Sequence, residues 1–170
     1  ELSRHVSRCL HFHMRRSIPC LFILVALMST NQGCIPPKMP CHGDYVGVDP
    51  DEWFESVRWR NRLLIVGGGD EACERQTTLA LERKAGFLER DLLVIRLREG
   101  DVAVLVGEAP TPPPTSEAFR TRFSMAEDAF EVVLVGKDGG AKERRDSTFE
   151  TDELFGIIDA MPMRIREMRR

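Results

Sequence analysis

The sequence predicts an α/β fold, a three-layer sandwich in which helices flank a mixed sheet of four to five strands. A continuous apolar run at residues 63–66, followed by three glycines, is typical of a strand buried on both faces. Residues 131–145 predict two strands joined at an Asp-Gly turn. Residues 151–161 then predict a helix that ends at Pro162. Together these features predict layered helices and strands around one core.

The first half of the predicted domain alternates helices and strands. Pro50 favours a helix start, because proline fits the first helical turn. The residues expected on its buried side are Trp53, Phe54 and Val57. After the strand at residues 63–66, Asp70 is a candidate cap for a long helix. The inward stripe expected on that helix is Cys73, Thr77, Leu81, Ala85 and Leu88. Residues 92–97 and 101–106 are the next predicted strands.

The middle of the chain holds a predicted loop, a helix and a hairpin. Four prolines in residues 109–116 exclude a helix or a central strand there. A short helix is expected at residues 117–123 and an apolar strand at 132–135. Asp138 and Gly139 favour a type I′ turn, which requires positive φ at both positions. The charged returning strand, 141–145, is expected at a sheet edge.

The last predicted helix docks on the sheet. Thr151 is its expected cap. Its apolar stripe is Leu154, Ile157, Ile158 and Met161. The arginines beyond it, Arg164, Arg166, Arg169 and Arg170, are expected to form a solvated tail. The resulting order of strands and helices matches the thioredoxin fold, with the first two strands parallel across the helix that joins them.

Several segments also resemble one known family, P-DUDES, which is catalogued as a domain of unknown function and described as thioredoxin- or peroxiredoxin-like. They are residues 136–142 (GKDGGAK), 153–155 (ELF), 158–164 (IDAMPMR), 166–168 (REM) and 59–64 (WRNRLL). The resemblance runs from about residue 51 to 168. It implies a thioredoxin-like fold without a settled activity and supplies no catalytic residue. It also implies export, because bacterial members are often small exported proteins and animal members named for sushi repeats are secreted matrix proteins.

The beginning of the chain is typical of an export signal. Two arginines after Met14 precede an apolar core at residues 18–28, which is too short for the roughly 20 residues of a membrane span. We therefore assign residues 1–33 to an upstream extension plus signal peptide, 34–49 to a Pro-rich spacer and 50–168 to the domain. Gly33 before Cys34 makes Cys34 a candidate for lipidation, and ordinary cleavage nearby is the alternative. The expected location is the periplasm, either free or as a membrane-anchored lipoprotein.

Charge limits the classes of partner. The chain has a net charge of −3, and without residues 1–33 it has 20 basic against 26 acidic residues, or −6. Nucleic-acid binding requires the opposite sign. The expected partner is an unidentified protein of the envelope, with membrane contact only through a lipid at Cys34.

Thiol chemistry is the main enzymatic alternative. A redox thioredoxin needs two cysteines where the first strand meets the first helix, but this chain has only Cys73 there, and no proline in residues 127–130 before the third strand. The nearby acids Asp70, Glu71 and Glu74 disfavour a thiolate. The sequence thus predicts no catalytic residue and a non-redox binding or structural role. The alternative is a one-Cys thiol peroxidase or reductase that uses Cys73.

The remaining cysteines suggest pairing without metal or cofactor chemistry. In an oxidising compartment Cys41 and Cys73 are disulfide candidates, and Cys34 with Cys41 is the competing pair. His42 beside Cys41 is a lone histidine, so no metal site is predicted. Residues 67–72 fit a glycine-rich dinucleotide fingerprint, but their two acids would repel a pyrophosphate. No cofactor is predicted.

Overall fold

A computed structural model of the chain describes residues 48–69 and 71–169. The predicted signal peptide and spacer, Cys34, Cys41 and the Asp70 cap lie outside the described residues. In chain order the described elements are α1 (Pro50–Val57), β1 (Arg62–Gly67), α2 (Glu71–Glu82), α3 (Lys84–Glu89), β2 (Leu92–Arg98), β3 (Asp101–Val106), α4 (Ser116–Phe123), β4 (Glu131–Val135), β5 (Ala141–Arg145), α5 (Thr151–Asp159) and α6 (Pro162–Glu167).

The described strands form one mixed sheet in the order β3-β2-β1-β4-β5. β1 pairs with β2 in parallel, as the crossover through α2 and α3 requires. The other three pairings are antiparallel. β1 is central and buried along its whole length, as its apolar run predicts. The α/β class with a five-stranded mixed sheet between helices is therefore confirmed, and it is consistent with a thioredoxin-like sandwich.

The two faces of the sheet carry separate cores, because successive side chains of β1 point to opposite sides. Leu64 and Val66 belong to the core under α2, α3 and α5. Leu63 and Ile65 belong to the core under α1 and α4. Each fully buried large apolar side chain stabilises the fold by about 1.5–3 kcal/mol. The sandwich is thus held mainly from these two apolar faces.

Helix α1 forms as its sequence predicts. The Asp49 side chain caps it by accepting hydrogen bonds from the backbone N–H groups of Asp51, at 2.8 Å, and Glu52, at 3.4 Å. The buried residues are the three predicted ones, Trp53, Phe54 and Val57. The Trp53 and Phe54 rings pack edge to face with the phenylalanine rings of α4.

The long helix after β1 is interrupted, which corrects the predicted stripe. The backbone at Arg83 leaves helical geometry, with φ −112° and ψ 25°, and this changes the rotational phase of the second half. Cys73 and Thr77 are buried as predicted. The three later members of the stripe, Leu81, Ala85 and Leu88, are exposed, and Ala80 and Phe87 are buried instead.

The hairpin between β4 and β5 exists, but its turn is not type I′. Among residues 136–140 positive φ is found at Gly139, at +82°, and not at Asp138. The Gly139 N–H donates to the Gly136 carbonyl at 2.9 Å, and the Asp138 carboxylate accepts from the Gly140 N–H at 3.2 Å. One glycine therefore supplies the left-handed residue, and the aspartate holds the loop through its side chain. β5 lies at the sheet edge, as its charges predict.

The C-terminal end differs from prediction in two respects. Thr151 is the first residue of α5, and Glu150 occupies the cap position without a side-chain hydrogen bond. Pro162 does not end α5, which already stops at Asp159. It begins α6, because proline fits the first helical position. The solvated-tail prediction is wrong for Arg164, which is buried.

Candidate functional site

The junction between β1 and α2 lies at the carboxyl end of the parallel strands, where open α/β sheets bind their ligands. Gly68 has φ +104°, and a Cβ atom there would lie 2.9 Å from the Phe130 Cα. Glycine therefore lets the segment before β4 approach the end of β1 closely. Gly69 has open space around it.

A cleft of about 600 Å³ opens at this junction. Its lining, which we call the carboxyl-end groove, consists of Gly68, Gly69, Arg98, Glu99, Arg120, Glu127 and Asp128. Two arginines and three acids thus surround a floor of glycine backbone. The groove is polar and carries both signs of charge.

The arginines of the groove are positioned by neighbours. Arg98 pairs with Glu74 of α2, and Arg120 donates to the Ala126 carbonyl. Among the described residues that line the groove there is no cysteine, histidine, serine or lysine. In residues 48–69 and 71–169, no group of three or more His, Cys, Asp and Glu side chains is placed to hold a metal ion. The arrangement can hold a polar partner, but it presents no nucleophile.

Cys73 lies in the first turn of α2. It follows the groove glycines closely in the chain, but its side chain cannot be reached from the groove. It is 0% exposed and belongs to the core that contains Leu64 and Val66. Its predicted disulfide partner Cys41 lies outside the described residues, and so does Cys34, the competing partner of Cys41, so the pairing stays a prediction.

A second polar cluster lies at the opposite end of the sheet, and sequence reasoning missed it. Arg62, the first residue of β1, is only 1% exposed. Its guanidinium donates to the Arg90 carbonyl at 2.8 Å and to both Glu167 carboxylate oxygens at 3.2 and 3.3 Å. Lys137 adds a bond to Glu167 at 2.8 Å and one to Asp91 at 2.7 Å.

Arg164 extends this cluster through α6. It donates to Asp159 at 3.1 Å, and to the backbone and carboxylate of Glu89 at 3.0 and 2.7 Å. Arg90 in turn pairs with Asp159 at 2.6 Å. We call the whole set the C-terminal ion cluster: Arg62, Glu89, Arg90, Asp91, Lys137, Asp159, Arg164 and Glu167.

Two carboxylates of the cluster, Glu167 and Asp159, are held in their charged form. Burial raises the pKa of Glu167, but bonds and charges from Lys137 and Arg62 outweigh it, so this pKa lies below its ordinary value. Burial likewise opposes the effect of Arg90 and Arg164 on Asp159, whose pKa is also lowered. The cluster joins α6 to the start of β1 by compensated charges, which is a structural role.

The family assignment rests on most of the domain. A family described as a domain of unknown function, DUF4174, matches residues 53–167. The chain belongs to this family. The match lies within the predicted domain and ends at the C-terminal ion cluster, so the cluster is part of the DUF4174 region.

The chain is also similar to three curated proteins. The chain is 30% identical over 128 residues to the sushi repeat-containing protein SRPX of Rattus norvegicus, and equally to those of Homo sapiens and Mus musculus. The alignment covers 69% of this chain and 26% of each relative, so the chain spans about a quarter of their length. No solved structure matches. The predicted membership in an unknown-function family with sushi-repeat relatives is confirmed.

Residues 48–69 and 71–169 contain no helix with both the length and the apolar character needed to cross a membrane.

Proposed function

We propose that this DUF4174 chain is an exported binding domain without thiol-redox activity. The observation that carries the proposal is the complete burial of Cys73 in the core beneath the sheet. The alternative function, a one-Cys peroxidase or reductase, requires direct contact between this sulfur and a substrate.

Thiol chemistry depends on access and on the thiolate. A thiolate attacks a peroxide or a disulfide sulfur directly, so the substrate must reach within bonding distance of it. Cys73 has no exposed surface. Buried cysteines in apolar surroundings are ordinarily inert packing residues. The geometry thus supports a structural role for this thiol.

The carboxyl-end groove supports binding. It lies where the thioredoxin fold places its cysteines, yet its lining is glycine backbone with Arg98, Arg120, Glu127 and other charged side chains. Such groups recognise polar segments by hydrogen bonds and complementary charge. A domain of this kind holds a partner rather than converting a substrate.

The proposed cellular location is outside the cytoplasm. Support comes from the basic residues after Met14 and the apolar core at residues 18–28, which are typical of a signal peptide. The finer proposals are a P-DUDES-type domain with thioredoxin ancestry, free in the periplasm or anchored through a lipid on Cys34, with a protein partner in the envelope. Mass spectrometry of the mature N-terminus tests the anchor, since an unmodified start at any residue other than Cys34 contradicts it.

Activity assays on the purified full chain test the proposed function. We expect no hydroperoxide consumption and no insulin reduction above a protein-free blank, and Cys73→Ala should behave identically. Activity that disappears in Cys73→Ala, while circular dichroism shows the variant still folded, would overturn the non-redox assignment and establish the one-Cys enzyme.

A further inference from the structure

The two edges of the sheet are built differently. β5 has four charged residues out of five, Lys142 to Arg145. Charged edges are the usual device that prevents a sheet from pairing with another chain. β3, at the other edge, has the sequence DVAVLV, with one charge at its first residue. By this criterion β5 is protected and β3 is open.

The outer side of β3 is available within the described part of the chain. Its inner side pairs with β2, from Arg98 with Asp101 to Val94 with Val106. No backbone hydrogen bond from a turn or loop of the described residues reaches β3. The pairing with β2 contains a bulge, in which Leu105 is the extra residue between the Ile95–Val104 and Val94–Val106 pairs. Residues 101–104 lie before this bulge and pair regularly.

The proline-rich loop forms a side wall beside this edge. A cleft of about 340 Å³ separates Asp101 and Val102 from Pro113, Pro114 and Thr115. Two contacts hold the loop in place. The Trp53 indole donates to the Thr111 carbonyl at 3.1 Å, and the Thr115 hydroxyl accepts from the Ala118 N–H at 3.4 Å. The slot is therefore preformed, which lowers the entropic cost of binding an extended segment.

The charges around the strand indicate which segment fits. Glu99 and Asp101 are exposed at one end of β3, and Glu108 is exposed at the other. Arg98, which lies opposite Asp101 on β2, pairs with Glu74. A second copy of β3, paired antiparallel about a two-fold axis, would bring Glu99 of one copy near Glu108 of the other. Like charges at both ends disfavour that dimer and favour a partner with basic flanks.

We infer that β3 accepts one extended strand of a partner protein, with a short uncharged β-branched centre and Lys or Arg on both sides. The partner strand forms backbone hydrogen bonds with residues 101–104, and its basic flanks pair with the acids at the ends of β3, which fixes the register. This inference rests on the proposed binding function and adds a partner chemistry and a surface beyond the carboxyl-end groove.

The test uses a fluorescein-labelled peptide with the sequence KRVTVTVRK and the full chain, followed by fluorescence anisotropy. Two control peptides carry N-methyl groups on alternate central amides, or glutamates in place of the basic flanks. We expect each control to bind at least about tenfold more weakly. Neutralising the two flanking acids that lie outside the carboxyl-end groove (Asp101→Asn, Glu108→Gln) should weaken the first peptide similarly. A matched double change beside β5 (Glu143→Gln, Asp146→Asn) should not.

Four outcomes overturn the inference: no binding at about 1 mM protein, equal binding of the N-methylated peptide, a sedimenting dimer that competes with the peptide, or binding that requires removal of residues 1–33. The last two assign the edge to a second copy or to the chain's own leader. Because the thiol assays are independent, failure here with no thiol activity leaves the proposed function standing.

Discussion

The two ends of the sheet use charge in opposite ways. At the amino end of β1 the cations Arg62, Lys137 and Arg164 are buried and each is paired with carboxylates from distant elements. At the carboxyl end the charges of the groove border an open cleft, and Arg98 is 41% exposed. One end is closed by compensated ions, and the other is left as an open, charged cleft.

This difference changes the meaning of the family resemblance. The segments that carry it include Lys137, Arg164 and Glu167, and all three belong to the C-terminal ion cluster. The resemblance is therefore carried partly by residues that fix α6 on the sheet. None of these segments includes a residue that lines the carboxyl-end groove.

The largest expected effect comes from breaking the closed end. Replacing Arg62 with alanine leaves Glu167 with part of its compensation removed, and we expect a loss of about 3–5 kcal/mol in the free energy of unfolding. The control is Arg75→Ala, because the Arg75–Glu150 pair is more than 60% exposed at both partners and contributes at most about 1 kcal/mol. Denaturant unfolding of both variants checks this. Equal, small losses would mean that the cluster does not hold the fold.

A second comparison tests packing near the cluster. A Cβ atom at Gly86 would lie 2.6 Å from the Phe155 ring, onto which Arg90 also stacks at 4.0 Å. We expect Gly86→Ala to destabilise the domain by about 1–3 kcal/mol. Gly156, inside α5, has nothing within 4 Å, so Gly156→Ala should stabilise it by about 0.5–1 kcal/mol. Thermal unfolding that shifts in the same direction for both variants contradicts the packing described.

The acid dependence of stability tests the same end with a smaller effect. The pKa of Glu167 is depressed in the folded state, so its stabilisation is present above the unfolded value of about 4.3 and is lost as pH falls through the lower folded value. Between about pH 7 and pH 3 the wild type should lose about 1 kcal/mol more than Glu167→Gln. Glu82→Gln, at an exposed acid, should follow the wild-type curve. Parallel curves for all three proteins would contradict the role given to Glu167.

The smallest effect is expected at the open end. A Cβ atom at Gly69 would have nothing within 4 Å, and the φ of Gly69 is not positive, so Gly69→Ala should change the unfolding free energy by less than about 0.5 kcal/mol. Chemical denaturation measures this directly. A loss as large as that of Gly86→Ala would show that the groove floor is packed and that the two ends are alike.

Local patterns in the sequence predicted much of the fold. The apolar run of β1 and the charges of β5 place these strands at the centre and edge of the sheet, since burial on two faces and exposure at an edge select different residues. The predicted stripe is wrong after Thr77. Leu81 is eight residues beyond Cys73, so in a regular helix it turns away from the buried face, and Ala80 takes its place. Beyond it the irregular residue Arg83, which carries no glycine or proline signal, changes the phase again. Local periodicity cannot report such a break.

Contacts between distant residues could not be predicted. Arg62 and Glu167 lie 105 positions apart, and the buried Gln76 amide accepts from the Phe149 N–H at 2.7 Å across 73 positions. Arginine, glutamate and glutamine do not by themselves indicate burial, and Arg164 lies among arginines typical of a solvated tail. The carboxyl-end groove was not predicted, and its glycines attracted attention only as part of a dinucleotide fingerprint that the neighbouring acids disfavour. Arg120 and Glu127 reach it from another part of the chain.

The central claim is that Cys73 is a packing residue and not a reactive thiol. It is tested most directly by maleimide labelling of the full chain, reduced beforehand so that no disulfide blocks the thiol, across pH in native buffer and in denaturant. Peptide mass mapping locates the modified cysteines. Burial predicts that Cys73 reacts at least about a hundredfold more slowly when folded, since labelling must await opening of the core. Labelling of Cys73 in native buffer below pH 7 at the rate found in denaturant would contradict the claim.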